Sequence, residues 1–291
     1  MTAQQAVRQG ESVLKNAGIE DAAADAWLLL SYVMNWTRTE YLLRGGDPLP
    51  AMEEETYRQA LARRAEHIPL QHITGRQDFM GFTFQVDERV LIPRWDTEVL
   101  VQEASCFLKP GIRVLDLCTG SGCIAVSLEK LYVQKYGRNA MAQQACFAAA
   151  DLSADALEVA AGNAKRLEAD VLFLQGDLYE AAAQMPPFDM IVSNPPYIPA
   201  SVIPTLSEEV RLHDPHIALD GGEDGLDFYR RIVSGAREHL RQDGVLLLEI
   251  GADQAAAVTE MLRVSGFDEI KTVQDLAGLD RVVRARISPA E

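Results

Sequence analysis

The sequence predicts an α/β protein: a mostly parallel, doubly wound sheet preceded by a helical bundle and joined to it by a β-hairpin. Three observations predict it. Beyond residue 110 short apolar runs alternate with helical segments; the first 66 residues carry helical periodicity with almost no strand signal; and a period of two takes over from Phe79 to Ile92. The expected divisions are 1–75 for the bundle, 76–93 for the hairpin and 94–291 for the α/β domain, and 291 residues are enough for two cores.

In the bundle, Ala- and Leu-rich segments around 3–17, 22–35 and 52–66 are separated by Gly18-Ile19-Glu20-Asp21 and by Gly45-Gly46-Asp47-Pro48-Leu49-Pro50. Trp27, Leu28, Leu30 and Val33 are expected to face its core. The near alternation of Phe79, Phe82, Phe84, Val86, Val90 and Ile92, broken at Gly81 and Asp87-Glu88, reads as a hairpin. A helix should then begin near Pro93-Arg94-Trp95, with Asp96 or Thr97 as its N-cap. Strands are expected at 113–117, 146–150, 171–175, 189–193, 245–250, 269–273 and 281–287. The last two are joined by too short a loop for a crossover helix, so they should pair antiparallel.

Composition narrows the function. Lys and Arg number 27 against 43 Asp and Glu, a formal net charge of −16, which argues against binding driven by phosphate backbones. Arg63-Arg64 and the arginines from 281 to 286 are expected on solvated faces. No apolar run approaches the roughly 20 residues of a bilayer span, and Met1 to Gln9 lacks the pattern of a signal peptide, so a cytoplasmic protein is expected. Cysteines at 106, 118, 123 and 146 form no Cys-x-x-Cys pair and are expected as free thiols, mostly buried. His213-Asp214-Pro215-His216 has the residues of a metal half-site, but Pro215 favours a loop. No metal is expected.

Two loops carry candidate chemistry. The strand Arg113-Val114-Leu115-Asp116-Leu117 runs into Cys118-Thr119-Gly120-Ser121-Gly122 and then a helix, a turn that lets a ligand press on backbone at the sheet's carboxyl edge. Gly120, Gly122 and Ala125 also satisfy a dinucleotide fingerprint, so NAD is a rival ligand for the loop. The second strand ends in Asp151, which can take both ribose hydroxyls of either cofactor. Asp177, followed by Leu178, stands after the third strand, where a turn or helix cap is an equal reading. The fourth strand ends in Asn194-Pro195-Pro196-Tyr197. Two prolines remove two N–H donors and leave stiff carbonyl acceptors, so with the Asn194 amide and the Tyr197 ring this turn can hold a planar NH₂ group by its two hydrogens. A proline-rich turn that only closes a strand is the plainer reading.

In order along the chain, Pro69-Leu70-Gln71-His72-Ile73-Thr74-Gly75, Leu91-Ile92-Pro93-Arg94 with Asp96-Thr97-Glu98, Asp116 to Gly122, and Val192 to Ile198 resemble the PrmC/HemK family over nearly the whole chain. Glu209-Val210-Arg211, Pro215, Gly221-Gly222 and Asp280-Arg281 extend the resemblance. It implies a class I S-adenosylmethionine-dependent methyltransferase fold, Rossmann-like with seven strands. It also implies transfer of a methyl group to the N5 amide of the glutamine in the Gly-Gly-Gln loop of peptide chain release factors. S-adenosyl-L-methionine would lie against Asp116, Cys118, Thr119, Gly120, Ser121, Gly122, Asp151, Asp177, Leu178 and Asn194, with Asn194, Pro195, Pro196 and Tyr197 as the catalytic turn. A monomer acting on protein, with no direct nucleic acid and no membrane, is expected.

The helical bundle is then a candidate docking module or a simple cap on the catalytic domain. Cys118 replaces the family's usual first loop glycine, Trp95 a usual proline, and Tyr132 to Gln144 looks longer than the family's connection. The same turn is found in enzymes that methylate exocyclic amines of adenine, cytosine or guanine, the alternative activity; the acidic charge discriminates against it. A non-catalytic cofactor-binding protein would carry a damaged turn, and this one is intact.

Overall fold

The structure, a computed structural model, describes residues 1–141 and 144–287. Two compact units are present: Met1–Arg76 with Ser207–His213, and Gln77–Leu206 with the chain from Asp214 onward. The short segment 207–213 in the helical unit is something the pattern of the sequence did not suggest.

The helical unit contains α1 (Ala3–Asn16), α2 (Ala22–Met34), α3 (Arg38–Arg44), α4 (Ala51–Ala65) and α5 (Leu70–Thr74). Thr2 with Gln5, and Thr37 with Glu40, close capping boxes on α1 and α3, satisfying N–H groups that a helix start leaves unpaired. The buried stripe of α2 is Ala22, Asp25, Ala26, Leu29 and Leu30. Of the expected core residues, Leu30 is buried, Trp27 and Val33 are half-buried, and Leu28 lies exposed because it falls off this i, i+4, i+7 stripe. Arg64 is no solvated residue. It is 4% exposed, and its guanidinium meets Asp25 at 2.6 Å and also Glu209 of the returning segment. A lone buried guanidinium would be costly, so two carboxylates accompany it.

The α/β unit opens with a hairpin, β1 (Arg76–Phe79) and β2 (Phe82–Gln85). It is shorter than expected. The turn at Met80-Gly81 has positive φ at both residues, as a tight hairpin needs, but beyond Gln85 the chain leaves the ladder and Asp87 folds back to accept from the Arg89 N–H. Val86 and Val90 alternate because they pack on Ala156 and Val159, not because they pair.

The sheet comprises β3 (Arg113–Leu117), β4 (Cys146–Asp151), β5 (Leu172–Gln175), β6 (Phe188–Ser193), β7 (Leu240–Glu249), β8 (Phe267–Gln274) and β9 (Asp280–Ile287), in the order β5-β4-β3-β6-β7-β9-β8. The first five pair in parallel, and β9 runs antiparallel to both β7 and β8. Helices α6 (Thr97–Ser105), α7 (Cys123–Tyr136), α8 (Ala154–Leu167), α9 (Glu208–His213), α10 (Asp227–His239) and α11 (Ala255–Val264) complete the chain, α9 being the segment of the helical unit already met. Apolar cores lie on both faces of the sheet, one around Leu115, Ile191 and Leu248 and one around Val114, Val192 and Leu247, which is why these strands read as unbroken apolar runs. Between β3 and β6 the strand order reverses, and ligands of such sheets bind at the carboxyl edge of that switch point.

Other expectations need correction. Asp96 is the N-cap residue of α6, as expected, but its side chain makes no cap bond; it pairs instead with Arg281 at 3.2 Å. Arg281 also meets Asp275, Arg284 meets Glu103 and Arg286 meets Glu269, so all three arginines of β9 are ion-paired. The four cysteines are free, but only Cys123 is fully buried; Cys118 and Cys146 are half-buried and Cys106 is exposed. Within the connection after α7, residues 142 and 143 lie outside the described residues.

Candidate active site

The glycine loop is held by carboxylates on two strands. Asp116, fully buried, accepts from the Thr119 hydroxyl at 2.6 Å and from the Ala125 N–H at 3.3 Å. Burial drives its carboxyl up to about 7 against those two hydrogen bonds, with Asp151 adding a smaller upward push. Asp151, at the end of β4, accepts from the Gly120 N–H at 2.8 Å and from the Ser153 N–H at 2.9 Å. The loop threads Cys118, Gly120 and Gly122 through the left-handed region, with φ of 59°, 53° and 79°. At Gly122 a Cβ would also approach Ala160 to 3.0 Å, so α8 can pack this closely only on glycine. Asn163 of α8 fixes the loop from the other side: its amide donates to the Ser121 and Gln85 carbonyls, both at 3.0 Å.

The Asn194-Pro195-Pro196-Tyr197 turn leaves β6 beside this loop. The Asn194 amide nitrogen donates to the Thr97 hydroxyl at 3.2 Å. The Tyr197 carbonyl accepts from Gln254 at 3.0 Å. Loop 219–225 packs directly on the turn. Ile198 exchanges backbone bonds with Leu219 and Gly221, and a Cβ at Gly221 would strike the Tyr197 Cα at 2.7 Å.

One open cavity, about 830 Å³ counting the solvent at its mouth, joins the two loops; Cys118, Gly120, Asp151, Asp177, Leu178, Asn194 and Pro196 all line it. Asp116, Thr119, Ser121, Gly122, Pro195 and Tyr197 are not among its lining residues. Asp177 does not use its side chain to cap the short helix after it; it pairs with Arg231 at 2.6 Å. Leu91 of the Leu91-Ile92-Pro93-Arg94 motif adds apolar lining, and so do Leu152, Ile217 and Phe228, which no motif pointed to. Thr97, Glu249 and Gln254 also went unmarked as supports. Glu249 had a signal, an acidic residue inside the apolar run Val245–Ile250.

A mostly parallel, switch-point sheet with a glycine loop after its first strand and a polar turn after its fourth defines a methyltransferase of the Rossmann-like class. A solved methyltransferase from Pyrococcus furiosus aligns with a TM-score of 0.50, covering 70% of this chain and 88% of that one at 17% identity. Residues 5–75 match the PrmC N-terminal domain and residues 96–206 the methyltransferase small domain. Release factor glutamine methyltransferase from Geobacter sulfurreducens is 42% identical over 94% of this chain and 93% of its own length. That from Cereibacter sphaeroides is 42% identical with both chains fully covered. The chain belongs to the release factor glutamine methyltransferase family.

Proposed function

We propose that this chain transfers a methyl group from S-adenosyl-L-methionine to the N5 amide nitrogen of the glutamine in the Gly-Gly-Gln loop of peptide chain release factors. The observation that carries the reading is the orientation of Asn194: its NH₂ is held by Thr97, which leaves the amide oxygen as the free end of a side chain lining the cavity.

The cavity residues suit the cofactor. Each Asp151 oxygen accepts one backbone N–H and keeps a lone pair for a ribose hydroxyl. Leu152, Leu178 and Ile217 offer apolar surface for a base, and Asp177 with Arg231 offers polar atoms at its edge. When bound there, the cofactor supplies an electrophilic sulfonium methyl.

An amide nitrogen is a poor nucleophile because its lone pair is delocalised. The Asn194 Oδ1 and the Pro195 carbonyl would accept the two amide hydrogens and hold the nitrogen in line. Such positioning can supply roughly 7–11 kcal/mol, and acceptor dipoles stabilise the positive charge that grows on nitrogen. The proton then leaves to water. Pro196, which lines the cavity, gives the substrate amide an apolar wall, and Tyr197, which does not line it, steadies the turn through the bond of its carbonyl to Gln254. The helical unit is proposed as the docking module for the release factor, and the whole as a cytoplasmic monomer.

The test uses labelled S-adenosylmethionine with a release factor, with its Gln→Ala variant at the Gly-Gly-Gln loop, and with DNA and RNA. Label is expected on the intact release factor alone. Label on the variant or on nucleic acid overturns the reading.

A further inference from the structure

Sheet register places Glu249 beside the catalytic turn. Ser193 pairs with Leu248 in the parallel ladder of β6 and β7, so Glu249 ends its strand alongside Asn194. Glu249 is 1% exposed, and its Oε2 is buried without a hydrogen-bond partner. The Thr97 and Tyr197 hydroxyls lie near enough to its carboxyl to hold its pKa down, Thr97 the more strongly. Thr97 is itself 2% exposed and receives the Asn194 amide.

A threonine hydroxyl has one proton to give. An ionised Glu249 can only accept, so Thr97 donates to it and keeps only lone pairs for Asn194. The Asn194 amide must then present NH₂ to Thr97 and Oδ1 to the cavity. A protonated Glu249 can donate instead. Thr97 can then donate onward and the amide can settle reversed, its NH₂ facing a substrate NH₂ with no acceptor between them.

We propose that Glu249 and Thr97 are positioning residues that set the polarity of the Asn194 amide, so that methyl transfer slows when Glu249 takes up a proton. The proposal rests on the role given above to the Asn194 oxygen. Burial brings the Glu249 carboxyl up to about 7, while Thr97, Arg281 of β9 and Tyr197 pull it down and Asp96, ahead of α6, pushes it up. The switch therefore falls within the range of ordinary assays. Methyl transfer to an amide consumes no base before the bond forms, so an acid limb in kcat has no other source in the turn itself.

The experiment compares the full-length wild type with Glu249→Gln, Thr97→Val and Thr97→Ser at saturating cofactor across neutral pH. The wild type should show an acid limb in kcat near pH 7. Glu249→Gln, whose amide both donates and accepts, should lower kcat by roughly tenfold or more and abolish the limb. Thr97→Val should lower kcat similarly while Thr97→Ser retains it, with KM and cofactor affinity little changed throughout. A limb that persists in Glu249→Gln, or wild-type kcat in Thr97→Val, overturns the proposal.

A second readout needs no substrate: the Asn194 side-chain ¹⁵N–¹H pair, assigned by its loss in Asn194→Ser, should titrate near pH 7 and stop doing so in Glu249→Gln. An invariant pair overturns the proposal. If the wild type methylates no glutamine, the functional reading fails, and this readout still decides the polarity of the amide.

Discussion

The two loops that meet at the switch point are held by opposite means. Loop 118–122 is rich in donors: the Thr119 N–H binds the Ala150 carbonyl, the Gly122 N–H the Thr119 carbonyl, and the Gly120 N–H the Asp151 carboxylate. The turn at 194–197 has prolines in its two central positions, so it must be gripped through side chains and carbonyls, by Thr97 at one end and Gln254 at the other. Behind each stands a buried carboxyl raised to about 7, Asp116 for the loop and Glu249 for the turn. A donor-bearing loop suits a ligand rich in hydroxyls; a turn whose two central residues lack N–H suits a ligand that brings hydrogens of its own. Binding and chemistry should therefore separate between them.

The sharpest test of that separation is a pair of variants. Asn194→Ala removes the acceptor proposed to act on the reacting nitrogen, and kcat should fall on the order of a hundredfold, about 3 kcal/mol, with little loss of cofactor affinity. Asp151→Ala should do the reverse and weaken cofactor binding first, by one to two orders of magnitude on the scale of lost charge-assisted hydrogen bonds. Calorimetry with turnover assays distinguishes them, and equal losses of both quantities in both variants would dissolve the distinction.

Smaller effects should follow from the two carboxyls. Each is raised in the folded state above its usual value, so between about pH 4 and 7 the folded protein binds more protons than the unfolded chain, and stability contributed by these groups is lost as pH rises. Asp189, held down despite its burial by the Arg113 N–H and Lys109, acts in the opposite sense, but only at lower pH. Asp116→Asn should make the decline in Tm from pH 5 to 7 shallower than in the wild type. An unchanged slope would mean that Asp116 does not enter the folded state protonated.

Much of this was legible in the sequence, and the part that was not has one cause. Strands β3 and β6 and both loops stood out because sheet burial on two faces leaves a continuous apolar run, and glycine and proline punctuate its ends. Thr97 shares with Asp96 the local pattern of a helix cap, because a hydroxyl or carboxylate at a helix start suffices for that; the partner of its hydroxyl, Asn194, lies 97 residues away. Glu249 and Gln254 owe their roles to the register of β7 against β6, and Arg64 and Arg281 owe their burial to acids supplied by other segments. Local pattern carries backbone conformation well. It cannot carry which distant side chain satisfies a polar group, and supports behind an active site are of that kind.

The loop also offers a test confined to its own backbone. Cys118 and Gly120 share the left-handed region at nearly the same φ, 59° and 53°, yet only one of them is a glycine. A side chain in that region costs on the order of 1–2 kcal/mol, whereas glycine costs about 0.4–1 kcal/mol through the freedom it restores to the unfolded chain. Cys118→Gly and Cys118→Ala both lose the thiol, but only the glycine variant is relieved of strain, so it should be the more stable of the two by about 0.5–1 kcal/mol, roughly 2 °C in Tm for a chain of this size. Gly120→Ala should move the other way by a similar amount, because nothing lies within 4 Å of the added methyl and strain alone opposes it. Calorimetric scans of the three variants measure both differences. If Cys118→Gly is no more stable than Cys118→Ala, the donor-rich loop holds its cysteine without strain, and the family's usual glycine there answers to contact with the ligand and not to backbone conformation.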